Sequence, residues 1–187
     1  MPTEVIYIHG QKVETLRELL RPGLSAIFVG LNPSPVSVNA GHYYQGRLGL
    51  RFWRRLQDYG LTTELPRGRE DEVAFEQGYG FTDLVRRPTA RARDLAPEEV
   101  SASVEDLIMR IGTTGESVPV VCTFAIVFQA VHAHLEKAGH RVLRMPPPYA
   151  RREIVAAEMT RLAAAIRSAP EPPRAYPDRV HSLSQSV

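Results

Sequence analysis

Short unbroken apolar runs alternate along this chain with longer stretches in which apolar residues recur at helical spacing. LSAIFVG (24–30), bounded by Pro22-Gly23 and by Asn32-Pro33, has the pattern of a strand buried on both faces. YGFTDLV (79–85), VPVVCTF (118–124) and HRVLRM (140–145) repeat it. Between them, LGLRFWRRLQDYGL (48–61) places Leu48, Phe52, Leu56 and Tyr59 close to one helical face, and Gly60 supplies a stop. LAPEEVSASVEDLIMRIG (95–112) predicts a helix whose first turn carries Pro97 and two glutamates, as the helix dipole favours. IVFQAVHAHLEKAG (126–139) and ARREIVAAEMTRLAAAIRSA (150–169) predict two more. Strands alternating with helices imply an α/β fold with a mostly parallel sheet and helices on both faces. Residues 1–169 read as a single domain, and the Pro-rich segment 170–187 as a flexible or surface-draped tail.

In a parallel sheet, ligands sit beyond the carboxyl ends of the strands. Three chemically unusual stretches fall there: 31–47 after the first run, 82–93 around the end of the second, and 145–152 after the fourth. Asn32 lies just past a strand end, stiffened by Pro33 and Pro35, where its amide either orients a water, reads a base edge or closes its own turn. The loop lacks the glycine spacing of a dinucleotide or nucleotide-phosphate motif. AGHYYQG (40–46) offers two adjacent rings, Tyr43 and Tyr44, for stacking on a planar ligand or for anchoring the loop to the core. Asp83 interrupts an apolar strand, a costly place for a carboxylate unless it is paired, here with backbone, Arg86 or Arg87, or functional.

Composition changes the picture in two respects. Of the 23 basic residues only Lys12 and Lys137 are lysine, so 21 are arginine, the side chain that forks onto phosphate and stacks on bases. A GC-rich genome produces the same bias, and placement is therefore the better guide. Arg151 and Arg152 stand at the start of a helix, where the macrodipole disfavours cations and where a bound phosphate would reconcile them; solvent exposure is the alternative. Tyr149 follows three prolines, a stiff projection of the kind that wedges into a duplex. RRPTARAR adds Arg86, Arg87, Arg91 and Arg93 to the same edge. The lone Cys122 excludes an internal disulfide and cysteine-based metal sites, and no run reaches the length of a membrane span; a reducing cytoplasm is the expected home. His42 has no partner at metal-ligand spacing.

Taken in order, LRPGLSAIFVGLNPSPVS, RFWRRLQDYGLT and GYGFTDLVRRPT resemble the uracil-DNA glycosylase superfamily, closest to its mismatch-specific uracil/thymine branch, over roughly residues 16 to 166. The resemblance implies a three-layer α/β/α sandwich around a four-stranded parallel sheet, and hydrolysis of the bond between uracil and deoxyribose. It places Asn32 on the water-positioning asparagine. It places Tyr44 on the aromatic that stacks under the flipped base, with one residue inserted before Arg-Phe-Trp, and the backbone around Leu31 and Tyr43 near the base edge. It implies no cofactor and no metal, uracil-containing DNA (single- or double-stranded) as partner, free uracil as product and a monomer. Two departures stand out. Met145-Pro146-Pro147-Pro148-Tyr149 replaces an Asn- or His-Pro-Ser motif, with Tyr149 at the wedge position and Arg151, Arg152 and Arg86 or Arg87 as phosphate contacts. Asp83 stands where relatives often carry Asn or Lys, able to accept the uracil N3–H or to act as the base. A same-fold glycosylase for hypoxanthine, xanthine or mismatched thymine, and a non-catalytic protein binding damaged DNA, remain alternatives, with an unrelated nucleotide enzyme as a weaker third.

Overall fold

The computed structural model describes residues 2–8, 10–115 and 117–168. The Pro-rich tail lies outside the described residues. The apolar runs form a four-stranded, all-parallel sheet in the order β4-β3-β5-β6, from β3 (Ala26–Gly30), β4 (Tyr79–Asp83), β5 (Val120–Cys122) and β6 (Val142–Arg144). Phe28 pairs with Phe81 on one side and Val121 on the other, so β3 is central. Strand alternation then sorts the core into two layers. Ala26 and Phe28 pack with Trp53, Leu56, Met159 and Leu162, from α2 (Gly46–Asp58) and α6 (Arg152–Arg167). Ile27 and Val29 pack with Val104, Leu107, Val131 and Leu135, from α4 (Pro97–Gly112) and α5 (Ala125–Lys137). Each fully buried Leu, Val or Phe of this kind contributes about 1.5–3 kcal/mol. The result is the expected α/β/α sandwich.

Four elements escape the sequence pattern. β1 (Thr3–Ile8) and β2 (Gln11–Leu16) form an antiparallel hairpin outside the main sheet. Leu19 then exchanges two backbone hydrogen bonds of 3.0 Å with Phe81, covering the outer edge of β4. α1 (Pro35–Ala40) is built from residues that read as a loop. Ser34 caps it, accepting from the Ser37 N–H at 3.2 Å, Pro35 occupies its first turn, and Gly41 ends it at φ 73°. α3 (Glu70–Glu76) carries three acids in its first turn and leads into β4. The remaining helices lie within three residues of their expected bounds.

Candidate active site

Strand order reverses direction at β3: the chain leaves β3 for β4 on one side, whereas β5 leads to β6 on the other. The crevice outside the carboxyl ends of β3 and β5 is the ligand position for such a sheet, and a largely apolar pocket occupies it. All four strand ends reach it, through Leu31 and Asn32, Asp83, Thr123 and Phe124, and Met145 and Pro146. Tyr43, Tyr44 and Phe52 close it on the α2 side. Asn32, Asp83, Leu31, Tyr43 and Tyr44 are thus brought together from 53 residues of chain, spanning positions 31 to 83.

Asn32 is oriented by acceptors. Its Nδ2 donates to Thr89 Oγ1 at 2.8 Å, Arg87 O at 3.1 Å and Pro33 O at 3.3 Å. Backbone carbonyls cannot donate, so the amide can face only one way. Its Oδ1 accepts no hydrogen bond among the described residues and is left to the pocket. Thr89, the threonine of the RRPT segment, holds its own position by donating to Arg91 O at 2.9 Å.

Asp83 is 6 % exposed, and its carboxyl makes no hydrogen bond among the described residues. Burial pushes it up to about 7, with Arg110 opposing, Glu18 adding and Arg86 opposing. The carboxyl lies against Gly30: a Cβ at that glycine would stand 2.1 Å from Asp83 Oδ1 and 3.4 Å from the Tyr44 hydroxyl. Behind it, Arg110 of α4 donates to Asp83 O at 3.2 Å, Leu84 O at 3.2 Å and Thr82 Oγ1 at 2.7 Å, and pairs with Glu18. This buried guanidinium rivets the end of β4.

The two tyrosines divide the work. Tyr43 is buried against Phe81, and its N–H donates to Asp71 Oδ2 at 2.8 Å. That amide is engaged by Asp71, so Tyr43 anchors the loop while its side of the loop still lines the pocket. Asp71 Oδ1 also holds His42 Nδ1 at 2.8 Å, so His42 belongs to the same clamp. Tyr44 is half-buried in left-handed backbone (φ 52°) and stacks on Phe52 at 3.9 Å. Its carbonyl accepts from Trp53 Nε1 at 3.2 Å, and a Cβ on Gly49 would collide with that carbonyl at 1.5 Å. Burial raises the Tyr44 pKa, with Asp83 adding and Thr123 opposing; the Thr123 hydroxyl is close but makes no well-formed hydrogen bond, leaving the Tyr44 hydroxyl without a partner among the described residues. The Leu31 N–H, which would extend the β3–β5 ladder, also makes no hydrogen bond among the described residues.

The expected phosphate contacts separate into two groups. Arg86 is mostly buried, pairing with Glu4 at 2.7 Å and Glu18 at 3.7 Å and donating to Leu16 O at 3.0 Å. Arg87 grips Glu99 through two bonds of 2.7 Å. Both guanidinium groups are engaged by acids, from β1, the 17–25 segment and α4, although only Arg86 is largely buried and Arg87 is half-exposed. Arg151 and Arg152 are exposed at the start of α6, and Tyr149 is 69 % exposed beside the pocket, with the Arg51 guanidinium 5.2 Å from its ring centre. Arg55 was not apparent from sequence: it donates to the carbonyls of Pro146, Pro147 and Pro148 at 2.8, 3.0 and 3.2 Å. The run of prolines, lacking N–H groups to bond itself, was the available signal.

The fold and this pocket define an α/β/α protein with its chemistry at the carboxyl edge of a short parallel sheet. The family model described as the uracil DNA glycosylase superfamily matches residues 18–168, and the chain belongs to that superfamily. At this level it is a DNA glycosylase domain, a hydrolase of base excision repair whose partner is damaged DNA. Among the described residues, no helix is long and apolar enough to cross a membrane, and no group of three or more His, Cys, Asp or Glu side chains could hold a metal ion.

Proposed function

We propose that the protein excises uracil from DNA by hydrolysis, leaving an abasic site. The observation that carries this reading is the pairing, in one pocket, of an amide oxygen (Asn32 Oδ1) and a buried carboxyl (Asp83) that make no hydrogen bond among the described residues. Flipping the nucleotide from a duplex costs a few kcal/mol. Tyr44, backed by Phe52, supplies a stacking surface worth about 1–3 kcal/mol. Tyr149 fills the vacated stack, and exposed arginines beside it hold the backbone.

In the reaction, the pair of electrons of the C1′–N1 bond leaves with the base, and positive charge develops on the sugar. The Leu31 N–H donates to a base carbonyl on which negative charge grows. Asn32 Oδ1 accepts one hydrogen of the attacking water, Asp83 carboxylate takes the other as a proton, and the water oxygen bonds to C1′. The uracil anion then takes a proton from Asp83 or solvent. The reaction needs the carboxylate form, so its rate rises with pH through about 7.

The test is base release from an oligonucleotide carrying one uracil, single-stranded or opposite G or A, read by alkaline strand scission. Cleavage by the wild type, lost in Asn32→Ala and Asp83→Asn, supports the reading. Loss of base selectivity alone in Asp83→Asn would instead make Asp83 a reader of N3–H. Binding without cleavage of uracil, hypoxanthine, xanthine or mismatched thymine would leave a damage-binding protein.

A further inference from the structure

α2 carries Arg47, Arg51 and Arg54 at i, i+4 and i+7, which places them in one stripe on its exposed face. That stripe faces the start of α6 across an open groove. Four arginines line the groove, Arg51, Arg54, Arg55 and Arg152, against a single carboxylate, Asp58. Arg54 and Arg152 make no ion pair or hydrogen bond among the described residues. Arg55 is half-buried, and burial lowers its pKa, with the nearby Arg51 lowering it further and Tyr59 and Glu158 opposing. Guanidinium groups gathered this closely repel one another, and the field they create is relieved by an anion. The start of α6 lines the same groove, and the positive end of its dipole adds to that field.

The groove is also continuous with the pocket. Arg51, Arg55 and Pro148 line both, and Tyr149 leans over Arg51 from the shared loop. An anion held there is therefore part of whatever places its other end in the pocket. A free base has no anionic group to reach it. A polynucleotide does, at regular spacing.

We infer that the groove between the arginine stripe of α2 and the start of α6 is the track for the sugar–phosphate backbone of the strand whose base enters the pocket. Arg54 and Arg152 contact phosphates directly. Arg55 is a positioning residue that holds the three-proline wall of the track. This inference rests on the reading of the pocket as a nucleobase site, but the chemistry of the base is not needed for its test.

The experiment measures affinity for a short single-stranded oligonucleotide without uracil as a function of salt, using the full chain. Each phosphate contact adds about 0.7 to the magnitude of the log–log slope for a single strand. The double variant Arg54→Gln/Arg152→Gln is expected to have a slope shallower by about 1.4. Lys137→Gln, at the end of α5 and so at the opposite edge of the sheet from the pocket, is the control with unchanged slope. An unchanged slope in the double variant, or an equal loss in the control, would overturn the track. Uracil excision measured in parallel keeps the two readings apart. A shallower slope in a protein that releases no uracil retains the track and removes the proposed reaction. Normal excision with an unchanged slope does the reverse.

Discussion

The two rims of the pocket are built on opposite principles. The rim formed by residues 30–53 and the end of β4 is buried and fixed from several sides. Asn32 has three acceptors, Asp71 clamps the His42 ring and the Tyr43 N–H, Trp53 holds the Tyr44 carbonyl, and Gly30 and Gly49 are pressed against their neighbours. The rim formed by residues 145–152 is stiff by composition but thinly attached. Its prolines donate nothing, Arg55 supplies three of the four side-chain hydrogen bonds that reach it, and its aromatic tip stands in solvent. The first rim suits chemistry, which tolerates little displacement of reacting groups. The second suits contact with a large polymer, where reach and charge matter more than placement to a fraction of an ångström.

Substitutions should separate these rims, and the largest effects belong to the first. Asn32→Ala and Asp83→Ala should each lower the single-turnover excision rate by about 10²–10⁴-fold on single strands and duplexes alike. Equal loss on both substrates locates the effect in the chemical step, whereas a duplex-only loss would move these residues to base flipping.

Gly30→Ala comes next, because its methyl group would overlap Asp83 Oδ1. A destabilisation of about 1–3 kcal/mol in urea unfolding is expected, together with lost activity. Wild-type stability with full activity would show that the carboxyl can swing away and that its placement is not fixed.

pH gives a comparable effect of known sign. The folded-state pKa of Asp83, about 7, lies above its unfolded value of about 3.9. The fold therefore favours the neutral acid: its contribution is complete below about pH 4 and is lost as pH rises through about 7. Asp83→Asn should remove that loss and gain stability over the wild type at pH 8, on the order of 3–4 kcal/mol. Chemical denaturation at pH 5 and pH 8 measures it; a variant no better at pH 8 than at pH 5, relative to wild type, argues that the carboxyl is solvated.

The second rim should give the smallest changes. Tyr149→Ala should alter stability by no more than about 0.5 kcal/mol and should slow excision from duplex DNA while sparing single strands. Arg55→Gln should weaken the handling of single strands and duplexes alike, because Arg55 holds the wall of the backbone track, with a larger stability cost, about 1 kcal/mol for the lost loop hydrogen bonds. A single-strand defect in Tyr149→Ala would merge the two rims into one.

The sequence by itself determined the sheet, the main helices and the edge at which the site lies. Unbroken apolar runs such as AIFVG admit little but a doubly covered strand, and the helical faces of 48–61 and 95–112 are unambiguous in period. It also named Asn32, Asp83, Tyr44, Tyr149, Arg151 and Arg152 as candidates, because residue types that conflict with their local setting remain visible in one dimension. What local pattern hid was structure made of turn-forming residues: Ser34 and Pro35 signal a loop and a helix start equally well, and α1 followed the second course. The hairpin at 3–16 was hidden too, since an exposed two-stranded ribbon lacks a strong apolar period.

Only the tertiary structure decided which charges are free. Arg86, Arg87, Arg151 and Arg152 are chemically identical in the sequence, yet the first two are bound by Glu4, Glu18 and Glu99, while the last two stand in solvent. It likewise fixed Tyr43 as an anchor through Asp71, joined Arg55 to a loop more than 90 residues away, and left Asn32 Oδ1 and the Leu31 N–H without partners among the described residues. Partnership of this kind depends on distances between segments remote in sequence, and a side chain's identity fixes what it can bind but not what stands beside it.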